Sequence, residues 1–154
     1  ILCEVLRAQK MLEEKYGVAA DVWSITSYKE LYRDGHDVER WNMLHPLERP
    51  RTPYVTACLA GAPGVLVAAS DYVKTLPDSI SRWFPRPLVS LGTDGFGRSD
   101  TRQALRDFFE VDARFITLAT LAELAREKQI GPEIVERAMI DMKIDADKAN
   151  PMMC

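Results

Sequence analysis

GVLVAA (residues 64–69) is the stretch on which the fold turns. It is apolar throughout, with no polar side chain at alternate positions. A strand with one wet face alternates apolar and polar residues. A continuous apolar run is instead buried on both faces, which requires a parallel sheet covered by helices above and below. Residues 87–91 (PLVSL) read as a further strand. Residues 21–26 (DVWSIT), β-branched and aromatic, read as another.

Helical patterns fill the intervals. Leu2, Val5, Ala8, Leu12 and Tyr16 recur at steps of three and four, with Glu4, Arg7, Lys10 and Glu14 away from that stripe. The pattern predicts an amphipathic helix closed by Gly17 in the left-handed conformation. A short helix is expected over 28–34, ended by Gly35. Val38, Trp41 and Leu44 keep helical spacing, but Pro46, Pro50 and Pro53 limit 37–53 to a helical turn followed by an extended excursion. Residues 54–60 read as a short helix, and 73–83 as a helix with Pro77 in its first turn or at a kink.

Further on, Asp100 is placed to cap a helix, with Gln103 in capping-box position and Leu105, Phe108 and Phe109 as apolar positions. Phe115, Leu118, Leu121, Ala122 and Ala125 form another stripe. Gly131-Pro132 is a stop followed by a start, with Pro132 suited to a first helical position. Val135, Ala138, Met139 and Met142 carry the last helix, and 145–154 is expected to be irregular.

These elements alternate as in an α/β domain: an open, mostly parallel or mixed sheet flanked by helices on both faces, one domain over 1–154. The first helix has no strand before it, and Ile1 begins in mid-element without an initiator Met. The chain is therefore read as a piece of a longer protein whose first strand lies upstream of residue 1.

Composition excludes several classes. With 154 residues, 47% apolar and 28% charged, the chain has the make-up of an ordinary soluble globular domain. A net charge of −3 and a pI near 5.5 exclude the basic footprint of a nucleic-acid binder. No apolar run approaches the roughly 18 residues that span a bilayer, and no signal-peptide pattern opens the chain. Cys3, Cys58 and Cys154 fit neither a disulfide framework nor a zinc spacing, so a reducing cytoplasm is expected, with Cys3 and Cys58 as small buried hydrophobes.

The richest candidate for chemistry is GTDGFGRSD (residues 92–100), between the strand at 87–91 and the following helix. Glycines at a strand end, ahead of a helix, can present N–H groups to an anion. The order is G-x-x-G-x-G, however, and no Lys-Ser/Thr pair follows, so neither dinucleotide nor P-loop spacing is met. The other reading is a tight turn needing positive φ, tied down by Arg98 with Asp94 or Asp100. His45 is expected to make a structural hydrogen bond and His36 to be solvated. The carboxylates Glu13/Glu14, Glu123/Glu127 and Asp145/Asp147 are expected on solvated faces, and Trp23, Trp41 and Trp83 as core or interface anchors. No metal spacing is found.

Two stretches are far more specific: ERWNMLHP (39–46) and LGTDGFGRSDTR (91–102), the latter followed by FFEVDA (108–113). With DVWSITS (21–27), ASDYVK (69–74) and IDADKANP (144–151), they resemble, in order and over the whole chain, the C-terminal transketolase-type domain of the homodimeric pyruvate dehydrogenase E1 family. The resemblance implies a bacterial cytoplasmic enzyme with three α/β domains per chain. The first two would bind thiamine diphosphate and Mg²⁺ across a dimer interface. The third, the one resembled, would support the dimer and wall the approach to the active site. Such an enzyme decarboxylates pyruvate and reductively acetylates the lipoyl group of a dihydrolipoyl acetyltransferase partner.

No residue of this chain corresponds to the family's catalytic, cofactor-binding or metal-binding groups. The chain alone is expected to be inactive and to bind no cofactor. Asp94, Gly95, Phe96, Gly97, Arg98 and Ser99 are the candidates for a face toward a dimer partner or the mouth of the cofactor channel. Two other readings stay open: the same domain of a 2-oxo-acid dehydrogenase of different specificity, and a free-standing module that binds phosphate or a nucleotide through the glycine loop.

Overall fold

The computed structural model describes residues 1–153. Two strands, β1 (Leu66–Ala69) and β2 (Leu88–Leu91), pair in parallel with Leu66 opposite Leu88 and Ala69 opposite Leu91. The helices are α1 (Leu2–Tyr16), α2 (Tyr28–Leu44), α3 (Tyr54–Leu59), α4 (Thr75–Asp78), α5 (Arg102–Phe108), α6 (Ala113–Arg126) and α7 (Pro132–Asp141). Short 3₁₀ turns occupy Ser81–Trp83 and Pro151–Met153.

Residues 66–69 of the apolar run form a strand with a helical cluster against each face, although all four residues stay half-buried. Alternation sends Ala69 and Leu91 to one face, where they meet Ala8 of α1 and Ala113 and Ile116 of α6. Leu66 points to the other face, into a cluster built on Val55 and Leu59 of α3 with Ile80 and Trp83. A third cluster joins α1, α6 and α7 through Leu12, Leu121, Ala138 and Met142.

Among the described residues the sheet has two strands, not three. Residues 21–26 have β-forming composition but no strand to pair with, and run as irregular chain. Gly17 closes α1 as expected, at φ 66°. Gly35, in contrast, does not end a helix: α2 runs through it, and Gly35 is buried. A Cβ there would fall inside the Trp83 indole, so this glycine is required by close packing and not by backbone conformation. Pro77 sits in the first turn of the very short α4.

The cap of α5 is Thr101, not Asp100. The Thr101 hydroxyl accepts from Ala104 N–H at 3.2 Å, while Asp100 accepts from Thr101 N–H at 2.6 Å. Pro132 opens α7 after Gly131, in keeping with the sequence pattern.

Two carboxylates assigned to polar faces are buried instead. Glu4, 8% exposed, accepts from Ala113 N–H at 3.2 Å, at the start of α6, and pairs with Arg7 at 2.8 Å and Arg106 at 3.3 Å. A carboxylate there faces the positive end of the α6 dipole and bridges three helices. Glu123, also buried, is held by Arg126, whose hydrogen bonds keep its carboxyl below the usual range. Glu13, Glu14, Glu127, Asp145 and Asp147 are exposed as expected.

Cys3 is exposed and Cys58 half-buried, both as free thiols; Cys154 lies outside the described residues. Residues 145–153 are docked more firmly than an irregular tail. Lys148 donates to Phe108 O at 2.7 Å and pairs with Glu110 at 3.0 Å, and Pro151 is buried. No helix is long and apolar enough to cross a membrane.

Candidate functional site

In a parallel sheet the loops that leave the carboxyl ends of adjacent strands are brought side by side, and ligands or partners collect there. The loop after β1 (residues 70–74) and the loop after β2 (92–100) meet in this way. Ser70 N–H donates to Leu91 O at 3.0 Å and Thr93 N–H to Tyr72 O at 2.9 Å. The Thr93 hydroxyl adds a bond to Asp71 O at 3.1 Å.

Asp94 fixes the second loop to the first. Its carboxylate accepts from Lys74 N–H at 3.0 Å and lies 3.8 Å from the Lys74 ammonium. Gly92 is obligatory at this crossing, since a Cβ would lie 2.5 Å from Tyr72 O. Gly95 is in the left-handed region at φ 100°, with Pro151 O where a Cβ would project. The loop is a glycine-shaped turn, pinned on one side by residues 70–74 and roofed on the other by the docked C-terminal segment.

Arg98 does not tie this turn down. Its guanidinium sits 4.0 Å above the Phe108 ring and is not ion-paired with Asp94 or Asp100. A guanidinium on an aromatic face keeps its edge in water, so the loop carries its charge outward. Phe96 is 81% exposed, and residues 95–100 are all exposed. Tyr72, Met152 and Met153 are exposed as well. The predicted candidates Gly95, Phe96, Gly97, Arg98 and Ser99 therefore lie on one open loop, while Asp94 is its anchor. Residues 70–74 and 151–153, which hold the loop from both sides, give no sign in one dimension of belonging to it. The only signal for 70–74 is that β1 and β2 are parallel, so that the two strand exits must be neighbours.

Asp94 is committed to Lys74 and Arg98 to Phe108, so the loop presents no converging cradle for a diphosphate. Among the described residues no group of three or more His, Cys, Asp or Glu side chains could hold a metal ion. Among the described residues no set is arranged to hold Mg²⁺. His45 is structural, its Nδ1 2.8 Å from Trp41 O and its ring stacked on Trp41, while His36 is exposed as expected, with ring-edge contacts to Tyr32 and Trp83.

Residues 1–112 match the family described as the transketolase-like TK C-terminal domain. The chain belongs to this family. The match covers α1 through α5 and both strands, and ends at Asp112, the N-cap of α6. Similarity to curated proteins extends further. The chain is 48% identical over its whole length to a pyruvate dehydrogenase E1 component of Pseudomonas aeruginosa, covering 18% of that protein. It is 48% identical over 99% of its length to one from Escherichia coli (17% of that protein), and 44% identical over 92% to one from Mycolicibacterium smegmatis (15%). This transketolase-type domain thus spans less than a fifth of the length of the relatives it matches. The family suggested by ERWNMLHP and LGTDGFGRSDTR is the one found.

Proposed function

We propose that the chain is the C-terminal domain of a bacterial, cytoplasmic pyruvate dehydrogenase E1 component. In it, the loop from Asp94 to Ser99 is a contact face toward the dimer partner or the mouth of the cofactor channel. The whole enzyme would use thiamine diphosphate and Mg²⁺, held by its other domains, to decarboxylate pyruvate and pass the acetyl group to the lipoyl group of a dihydrolipoyl acetyltransferase. What supports the assignment is identity of 48% sustained over the entire chain. What supports the contact face is an exposed Phe96 two residues after Asp94, which anchors the loop to Lys74. A fixed loop offering an aromatic and a cation has the composition of an interface and lacks that of a catalytic site.

The test is Phe96→Asp, with Arg98→Ala beside it, in the full-length enzyme, read as pyruvate turnover and dimer mass. Phe96 touches little within the domain, so the variant chain should fold normally. Loss of dimer, or a drop in turnover of about tenfold or more, is the expected outcome for a contact residue worth 1–2 kcal/mol. Wild-type values for both variants in both assays would reduce the loop to a structural turn.

A further inference from the structure

Residues 145–153 (DADKANPMM) reach the 94–99 loop, and their sequence shapes them for it. Two side-chain turns build the segment. Asp145 accepts from Asp147 N–H at 2.9 Å, and Asn150 from Met152 N–H at 3.0 Å, each through its side-chain oxygen. Asp and Asn hold such turns because their short side chains reach the backbone two residues on. The main chain closes the same turns, with Lys148 N–H donating to Asp145 O at 3.3 Å and Met153 N–H to Asn150 O at 2.9 Å. Every residue of 145–153 is exposed except Lys148 and Pro151, the two that turn toward the domain.

Lys148 fastens the segment to the junction of α5 and α6. Its ammonium donates to Phe108 O, the last carbonyl of α5, at 2.7 Å and pairs with Glu110 at 3.0 Å. The last carbonyls of a helix lack partners within it, so a cation placed there satisfies one of them. The same ammonium lies 5.5 Å from the Phe108 ring and 5.4 Å from the Phe115 ring, within cation–π range. Hydrogen bonds from a charged donor are the stronger kind, and the Lys148 side chain is only 23% exposed.

Both ends of the stretch 95–98 rest on groups that Lys148 holds. At one end a Cβ on Gly95 would lie 2.5 Å from Pro151 O and 3.3 Å from Met152 Cα. Pro151 is buried and follows Lys148 by three residues, so the fastening of Lys148 fixes where Pro151 presses. At the other end the Arg98 guanidinium rests 4.0 Å above the ring of Phe108, whose carbonyl Lys148 binds. Asp94, through Lys74, anchors the start of the loop.

We infer that residues 145–153 are a strap that positions residues 95–98, and that Lys148 is the positioning residue that fastens it. Lys148 acts through Pro151 on Gly95 and through Phe108 on Arg98. The inference rests on the reading of 94–99 as a contact face, and deepens it by naming what sets the direction of Phe96 and Arg98. The IDADKANP stretch, which offers no cluster of metal ligands, gains a mechanical role. Asp145 and Asn150 shape it, Lys148 fastens it and Pro151 meets the loop.

The test uses the full-length enzyme. Lys148→Ala unfastens the strap, Pro151→Gly releases its contact with the loop, and Lys148→Arg restores a cation of similar reach. Amide hydrogen exchange at Met152 and Met153 reports the strap. Chymotryptic cleavage after the exposed Phe96 reports the loop, and exchange in α6 reports that the domain is folded. Lys148→Ala and Pro151→Gly should each speed both strap exchange and Phe96 cleavage by about tenfold or more, since both follow the population of the opened form. Exchange in α6 should not change, and Lys148→Arg should behave as wild type. Cleavage at the wild-type rate while the strap amides exchange faster would show that the strap does not position the loop. Wild-type exchange at Met152 and Met153 in Lys148→Ala, or a Lys148→Arg chain as loose as Lys148→Ala, would deny Lys148 its part. Acceleration in α6 equal to that in the strap would reduce Lys148 to a residue of general stability. Any of these results overturns the inference. Neither readout measures turnover or dimer mass, so a wild-type Phe96→Asp enzyme would remove the contact face and leave the strap standing, and the reverse.

Discussion

Gly35 is read from the sequence as a helix stop, because glycine is the commonest left-handed cap. In the structure it is a packing residue in the middle of α2. The Trp83 indole lies flat against its backbone, held by a 2.9 Å bond from Nε1 to Glu39 and by edge contacts to Tyr32 and His36. Two effects of Gly35→Ala therefore oppose each other. Alanine in a helix interior is favoured over glycine by about 1 kcal/mol. Forcing a methyl into a filled core costs about 1–3 kcal/mol, and Trp83, 5% exposed, has no room to retreat. Overpacking wins on these magnitudes. Gly35→Ala should lower the melting temperature by several degrees, at about 2–4 °C per kcal/mol for a chain of this size. An unchanged or raised melting temperature in a thermal scan would show that the indole moves aside.

At the scale of elements, the sequence shows where helices and strands lie better than how they end. β1, β2 and α1 follow directly from the apolar run, its neighbour and a clean stripe. The ends of α5, α6 and α7 do not, because each is closed by a non-glycine residue in the left-handed region: Glu110, Lys128 and Lys143. After each, the next N–H reaches back five residues: Val111 to Arg106 O, Gln129 to Leu124 O and Ile144 to Met139 O. Such caps leave no mark in the sequence, since tertiary packing and not residue preference imposes them. The stripe drawn for α6 also proves too narrow. Ile116, Thr117, Leu121, Glu123 and Leu124 are buried because α1, α7 and the sheet surround that helix. The β-former run at 21–26 is misassigned for a related reason: pairing is a property of two segments, and one cannot supply it alone.

The left-handed caps give a prediction with a clear sign. An L-residue in that conformation carries about 1–2 kcal/mol of strain that glycine lacks. Part of this is returned by glycine's freer unfolded chain. Lys128 is exposed, so little contact is lost on replacing it. Lys128→Gly should raise the melting temperature by about 2 °C, and Lys128→Ala should leave it nearly unchanged. Equal effects of the two would assign the gain to the removed charge instead of the backbone.

At the scale of the whole molecule, glycines and ion pairs are used to bring elements of the chain together. Glycines 92 and 95 let two loops and a terminal segment approach closely, and the buried ionic groups stitch helices to one another. Arg106 is shared between Glu4 and Asp71, and Arg114 is committed to Asp107 and Asp112. Cations spent on such bridges are unavailable to a diphosphate, and a net charge of −3 opposes one at long range. Calorimetric titration of the chain with thiamine diphosphate and Mg²⁺ should therefore show no binding in the micromolar range, while the full-length enzyme under the same conditions does bind. The ionic-strength dependence makes the test sharper. A weak association caused only by Mg²⁺ on surface carboxylates would vanish as salt rises from tens to hundreds of millimolar, because exposed pairs are screened over about 10 Å or less. Binding that persists at micromolar affinity in high salt would require a built site, and would return the 92–100 loop to the phosphate-cradle reading that its G-x-x-G-x-G spacing and its engaged side chains oppose.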